Sequence, residues 1–259
     1  MVIDEVVAAL RLELRTVVWP GETLEALPRI TRRTHGATAE VNAFELPEAQ
    51  ADEVIYGELD HFENLGQVFE WKVFSFDQAS NLLDRLGSAG FDIGEREAVV
   101  LYDLNDGLRP FEGSYPCEVT RIEGSADLNE FRLVSDQAFG SSNSSTVDQL
   151  ANSLRTGIKG HDGYIARIDG EPVAVGRLYT NPASAFAGLY GGGTRPEYRS
   201  LGCYRAVVAA RARDAAAAGS RYLLVDAMPT SLPILKRLGF VHVADSWPCL
   251  SPRSAKGEA

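Results

Sequence analysis

The stretch Gly193 to Arg205, GTRPEYRSLGCYR, sets a proline, arginines and an isolated glycine ahead of a helix-forming run rich in Ala, Val and Arg. Helix starts favour Asp or Glu, because free N–H groups and aligned peptide dipoles attract negative charge. The first residues of this run carry no acid. The pattern therefore suits an anion supplied from outside, a phosphate above all. Gly202 lets the chain turn closely and leaves room for the anion. The N–H groups of Ser200, Leu201, Gly202, Cys203, Tyr204 and Arg205 would converge on it, and Arg199 adds positive charge. Gly191, Gly192 and Gly193, followed by Thr194, end the segment before the turn. Three glycines weaken a strand and point to a bulge or to a ligand lying close against the backbone.

Other residues with chemical potential are fewer. Asp226 ends the apolar run RYLLVDA and reads either as a base acting through water or as an acceptor for N–H groups of the next turn. Ser231 opens the following helix, as a hydroxyl donor or as a cap. Tyr190 lies on the Gly-rich segment, as a reactive phenol or as packing. His242 alternates along the last strand and reads as structural, whereas His161, beside Asp162, reads as a solvated turn residue. Cys117, Cys203 and Cys249 are odd in number and lack C-x-x-C spacing, which suits free thiols in a reducing cytoplasm and no metal site.

The chain has 259 residues, enough for one large domain or two smaller ones. Its net charge of -11 argues against a nucleic-acid partner and is compatible with a cationic small substrate. The N-terminus, MVIDEVVAAL, is acidic and does not read as a signal peptide. No stretch approaches the roughly 20 apolar residues of a membrane span. The expected location is therefore the cytoplasm, with no membrane partner.

The elements that must position these residues follow from periodicity. Ile3, Val6, Val7, Leu10, Leu14 and Val17 predict a helix closed by Trp19-Pro20. PEAQADEVIYGELDHFENLG predicts a second helix, VFEWKVFSF a strand, DQASNLLDRLGSAGF a helix opened by Asp77, and REAVVLYDL a strand. Residues 105–116, NDGLRPFEGSYP, read as a linker between a part at 1–104 and a part at 117–259. Beyond it come a strand at CEVTRIE, a helix capped at Ser125, a polar loop GSSNSS and a helix capped at Thr146. GYIARI and PVAVGRLYT flank Asp169-Gly170, a favoured hairpin turn. SAFAGLYGGGT is the next strand, and a helix follows from Cys203 to Ala218. A strand at RYLLVDA, a helix at SLPILKRL and a strand at FVHVADSWPCL complete the order.

At PEYRSLG the sequence resembles the GNAT acetyltransferase superfamily, whose signature is Arg or Gln, two residues, Gly, one residue, then Gly or Ala, opening a helix after the fourth strand. Arg199, Gly202 and Tyr204 occupy those positions, Tyr204 departing from the usual small residue. Leu238-Gly239-Phe240 matches a second family feature. The resemblance covers Cys117 to Leu250, and the first part resembles the later half of such a domain. NLLDRLGSAGF and PILKRLGF echo one another, as a diverged partial copy or as two helices with the common Gly stop.

The resemblance implies a mixed α/β (α+β) fold with a mostly antiparallel twisted sheet flanked by helices, and a smaller N-terminal α/β part. It implies acetyl-CoA as co-substrate, with an amine of a small molecule or peptide attacking the thioester directly. The oxyanion donor would be a backbone N–H near Tyr190 or Gly191. The family's usual proton donor, a Tyr four residues before the Gly of the Gly-Phe pair, is Leu235 here. Asp226, Ser231 and Tyr190 then stand as the catalytic candidates. A CoA-binding sensor or scaffold without catalysis stays open, and the first part would wall the acceptor cleft or mediate homodimer formation.

Overall fold

The computed structural model describes residues 2–140 and 144–252. Helix α1 (Ile3–Thr16) buries Val6 and Leu10 one turn apart, and Asp4 and Glu5 sit in its first turn, where the helix dipole favours them. Three antiparallel strands follow: β1 (Thr23–Ala26), β2 (Ile30–His35) and β3 (Thr38–Ala43). The sequence pattern predicts none of them. Their buried positions include Thr31, Arg33, His35 and Asn42, so the apolar alternation that marks a strand is broken. Next come α2 (Glu48–Asn64), β4 (Glu70–Phe74), α3 (Leu82–Ser88), β5 (Asp92–Ile93) and β6 (Glu97–Asp103). Asp77 does not open α3: its Oδ2 accepts the Phe74 N–H at 2.8 Å and closes the turn after β4 instead.

Residues 105–116 are mostly exposed but hold one buried anchor. Phe111 is buried against the rings of Tyr102 and Phe240, and the Tyr115 hydroxyl donates to the Phe111 carbonyl.

The remaining elements are β7 (Glu118–Arg121), α4 (Ser125–Phe139), α5 (Ser144–Thr156), β8 (His161–Ile168), β9 (Glu171–Tyr179), β10 (Phe186–Thr194), α6 (Cys203–Ala217), β11 (Tyr222–Ala227), α7 (Leu232–Arg237) and β12 (Val241–Leu250). The order matches the expectation. Gly124 rather than Ser125 is the cap of α4, and α5 begins two residues before Thr146. Residues 141–143 of the expected polar loop lie outside the described residues. Asp169 and Gly170 both have positive φ, 49° and 85°, as the tight β8–β9 turn requires.

All strands join one mixed, mostly antiparallel twisted sheet, in the order β1-β2-β3-β4-β12-β6-β11-β10-β9-β8-β7, with β5 beside β12. The two parallel neighbours described are β3 with β4 and β10 with β11. The centre is an exchange: β12, from the end of the chain, lies between β4 and β6, and β6 lies against β11. Helix α6 packs Val207, Val208 and Ala212 into the main core of the second half, and α2 packs Ala51, Ile55 and Phe62 into that of the first. Among the described residues no helix is long and apolar enough to cross a membrane.

Candidate active site

The site begins where β10 leaves β11. The two strands pair only from Phe186↔Tyr222 to Gly188↔Leu224, after which β10 runs on to Thr194 without β11. On its other edge β10 carries a bulge: Tyr190 pairs with Arg177 and Gly193 with Val175, so Gly191 and Gly192 face the single residue Gly176. Gly191 has φ of +55°, a conformation that glycine adopts without steric cost. Glycine is also needed at 193, where a Cβ would stand 2.8 Å from that of Ala138. The glycine run thus allows a bulge, close helix packing and an opened strand pair at once.

The turn after β10 leads into α6. Ser200 has φ of +66° and Gly202, its N-cap, +101°. No acid lies in the first turn of α6, and no side chain among the described residues caps it. Among the described residues, the first helical bond runs from the Ala206 N–H to the Gly202 carbonyl, and the six N–H groups of residues 200 to 205 have no acceptor. Alternating handedness in such a turn makes a concave nest of donors suited to an anion. The Arg199 guanidinium reaches two backbone carbonyls, Thr194 at 3.3 Å and Ala138 at 3.1 Å, and so ties the turn to the end of α4. Cys203 is buried beneath the turn, next to Cys117, whose thiol is pushed up to about 12 by burial and by Cys203.

A cavity of about 710 Å³ opens beside this turn and extends over the first half of the chain. Tyr190, Gly191, Gly192, Tyr204, Asp226 and Ser231 line it from the second half, and Glu22, Glu40, Glu70, Lys72 and Glu97 from the first. Lys72 sits between two carboxylates, 2.5 Å from Glu97 and 3.4 Å from Asp226. Burial alone would lower the Lys72 pKa, but Asp226, Glu97 and Glu70 raise it above the ordinary lysine value. Glu70 is register partner of Glu40 on β3. Burial and the Glu40 charge lift its carboxyl to about 7.

The catalytic candidates all reach this cavity. Asp226 accepts from the Ser246 hydroxyl at 3.4 Å besides its contact with Lys72. The Ser231 hydroxyl donates to the Met228 carbonyl at 3.2 Å, and its N-cap position carries no side-chain cap bond. Tyr190 stands edge-on to Tyr179, and burial, with Asp226 and Glu40 nearby, raises its phenol above the ordinary value. The departure at Tyr204 resolves structurally. Its ring lies against Gly192, where a Cβ would come within 2.9 Å of it, and its hydroxyl is near Ser231. Burial raises its pKa, which keeps the phenol protonated at neutral pH. Leu235 is 0% exposed within the core, so no acid occupies its position.

Two features escaped the sequence reading. The cavity's first-half carboxylates and Lys72 are one: Glu40 lies on the unpredicted β3, and Glu70, Lys72 and Glu97, though on the predicted strands β4 and β6, gave no sign of meeting at one cavity. Arg211 is hidden in an Ala-rich helix that reads as close packing, yet it falls four residues after Val207 and four before Ala215, on the apolar face. It is 1% exposed, and no carboxylate pairs with it among the described residues. Burying an unpaired charge costs several kcal/mol, and desolvation lowers its pKa to about 10, still charged at neutral pH. His161, expected in solvent, is buried instead. It stacks on Tyr179 at 4.2 Å and bonds the Ser153 hydroxyl, and desolvation lowers it to about 3.

No family model and no curated protein matches the chain. Solved structures do. A GCN5-related N-acetyltransferase from Kribbella flavida aligns at a TM-score of 0.68 and 15% identity, over 98% of this chain and 96% of its own. A functionally unknown conserved protein from Staphylococcus epidermidis aligns at 0.68 and 15%, over 92% and 96%. A tandem GNAT protein from the clavulanic acid biosynthesis pathway aligns at 0.54 and 13%, over 92% and 85%. The chain has the fold of the GCN5-related N-acetyltransferases.

Proposed function

We propose that this protein is an acetyl-CoA-dependent N-acetyltransferase whose acceptor is an amine. The observation that carries the reading is the run of six acceptor-free N–H groups at the start of α6, beside the unpaired edge of β10. The nest and the helix dipole suit the pyrophosphate, and the open edge of β10 suits an amide-bearing arm laid along it like a strand. Residues 1–104 and 117–259 are read as two GNAT-like halves, supported by their matching element order and by the likeness to a tandem GNAT protein. Among the described residues no cluster of His, Cys, Asp and Glu suits a metal.

In the reaction the acceptor nitrogen bonds to the acetyl carbon, the carbon–sulfur bond breaks, the amine loses a proton and the thiolate gains one. A donor on the β10 bulge, the Gly191 N–H, faces the charge that develops on the thioester oxygen. The carboxylates Glu40, Glu70, Glu97 and Asp226 attract a protonated amine into the cavity, and Asp226 receives its proton through water. The protonated Tyr204 phenol, in contact with Ser231, supplies the proton to sulfur in place of the acid missing at Leu235.

The buried Leu235 also favours a second reading, a CoA-binding protein without turnover. One experiment separates them. Titration calorimetry with acetyl-CoA, followed by an acetyl-transfer assay over a panel of amines, should give binding and turnover. Binding without turnover selects the second reading, and no binding at millimolar ligand removes both. With an acceptor in hand, Tyr204→Phe should lower kcat by about 10²-fold and abolish an alkaline decline in rate; an unchanged profile would take the acid role from Tyr204.

A further inference from the structure

Arg211 projects from α6 beneath the β10 bulge. One of its nitrogens, Nη1, donates to two carbonyls on adjacent strands, Arg177 at 3.0 Å and Tyr190 at 3.3 Å, and Nε donates to Val207 of its own helix at 3.2 Å. The space is made by glycines. A Cβ at Gly176 would stand 2.8 Å from the guanidinium carbon, and one at Gly192 3.2 Å from Nη2. Tyr190 and Arg177 are register partners, so their carbonyls meet the same nitrogen where the ladder is interrupted.

This contact has a consequence across the peptide. No described peptide bond is cis. In a planar trans peptide the C=O and the N–H point in opposite directions. With the Tyr190 carbonyl drawn toward β9 and Arg211, the Gly191 N–H is turned away from both, to the side where Gly191 lines the cavity. Gly191 at positive φ has no side chain to resist this orientation. Among the described residues no carboxylate pairs with the buried cation, so its field also favours negative charge at the bulge.

We infer that Arg211 is a positioning residue that locks the Tyr190–Gly191 peptide with its N–H facing the cavity and makes the bulge electropositive, so that an oxyanion forming from an acyl thioester is stabilised there. The inference rests on the acetyl-CoA reading above. It assigns to an arginine inside the scaffold a part that no residue of the phosphate turn performs. It also explains why an uncompensated charge is kept where an apolar side chain would fit.

The test uses the full chain with acetyl-CoA labelled with carbon-13 at the carbonyl. In the wild type, infrared difference spectra should show the thioester carbonyl band moved to lower frequency than in free acetyl-CoA. In Arg211→Met the ligand should bind within about threefold of wild type while the band returns toward the free position. With an acceptor, kcat should fall by at least roughly tenfold at unchanged KM, less than the about 10²- to 10³-fold that outright loss of such a donor costs. Arg211→Lys should recover part of both.

A wild-type band that does not move although acetyl-CoA is bound would overturn the inference and leave the acetyltransferase reading standing. A shifted band and full kcat in Arg211→Met would do the same. If acetyl-CoA does not bind the wild type, the reading fails and takes the inference with it. If neither variant keeps the wild-type thermal transition, Arg211 is a core residue only and the inference is overturned.

Discussion

β3, α2 and β4 follow the same order as β10, α6 and β11, a strand, a crossover helix and a parallel partner, yet the two units end differently. β3 stops at Ala43, one residue past its last pairing with β4, and its ladder with β2 shows no register shift. Its crossover helix opens after Pro47 with Glu48 in the first turn. β10 instead runs past its last pairing with β11 as far as Thr194, bulges at two glycines and feeds a helix with no acid in its first turn. A strand pair opens when one strand outlasts the pairing, and a helix start suits an anion when nothing of the protein's own fills it. The first half supplies neither feature. It supplies a wall of carboxylates, and its Glu48 places charge where a phosphate would be repelled.

The comparison can be broken most severely by separating the halves. Fragments 1–104 and 117–259, made apart, should each lose cooperative unfolding in thermal melts, because β12 then has neither β4 nor β6 and β6 has lost β11. A sharp transition in the second fragment alone would show that the exchanged strands are dispensable.

A milder test transplants the first half's acid into the second. Gly202→Glu should weaken acetyl-CoA binding by at least roughly tenfold, about 1.4 kcal/mol. Any side chain is strained at φ of +101°, so Gly202→Ala serves as the control for strain. Equal affinities for the two variants, by calorimetry, would mean that charge at this turn does not matter.

The smallest effect concerns the carboxylate wall. Glu70 is raised to about 7 by burial and by Glu40, above the ordinary value of 4.5. A raised acid favours the folded state most below its unfolded pKa, and that contribution is lost as pH climbs through about 7. Melting temperatures of the wild type should therefore decline over this window more than those of Glu70→Gln. Asp77, also raised to about 7 by burial, leaves a residual slope in the variant. Parallel curves would show that the Glu70 carboxyl is solvated.

What could be read in advance tracks how local the cause is. The Gly191 to Gly193 run, the acid-free start of α6 and the Asp169-Gly170 turn each act within a few residues, so composition reveals them. β1 to β3 could not be read, because Arg33, His35 and Asn42 are buried where apolar residues are expected. The meeting of Lys72 with Asp226 was also hidden, since it depends on strands brought together from opposite ends of the chain. His161 misled for a related reason: what covers it is His35 and Tyr179, from β2 and β9.

The central exchange also governs when the molecule can form during synthesis. β4 has no partner on its β12 side until residues 241 to 250 have been made, and the Phe69 N–H waits for the Ser251 hydroxyl, 182 positions later. Such distant pairings close slowly. The nascent first half must therefore leave the ribosome with a bare strand edge, the kind of surface on which chains stick to one another. Its folding waits for β12 to be made, and the middle of the sheet, rather than either end, is the last part to close.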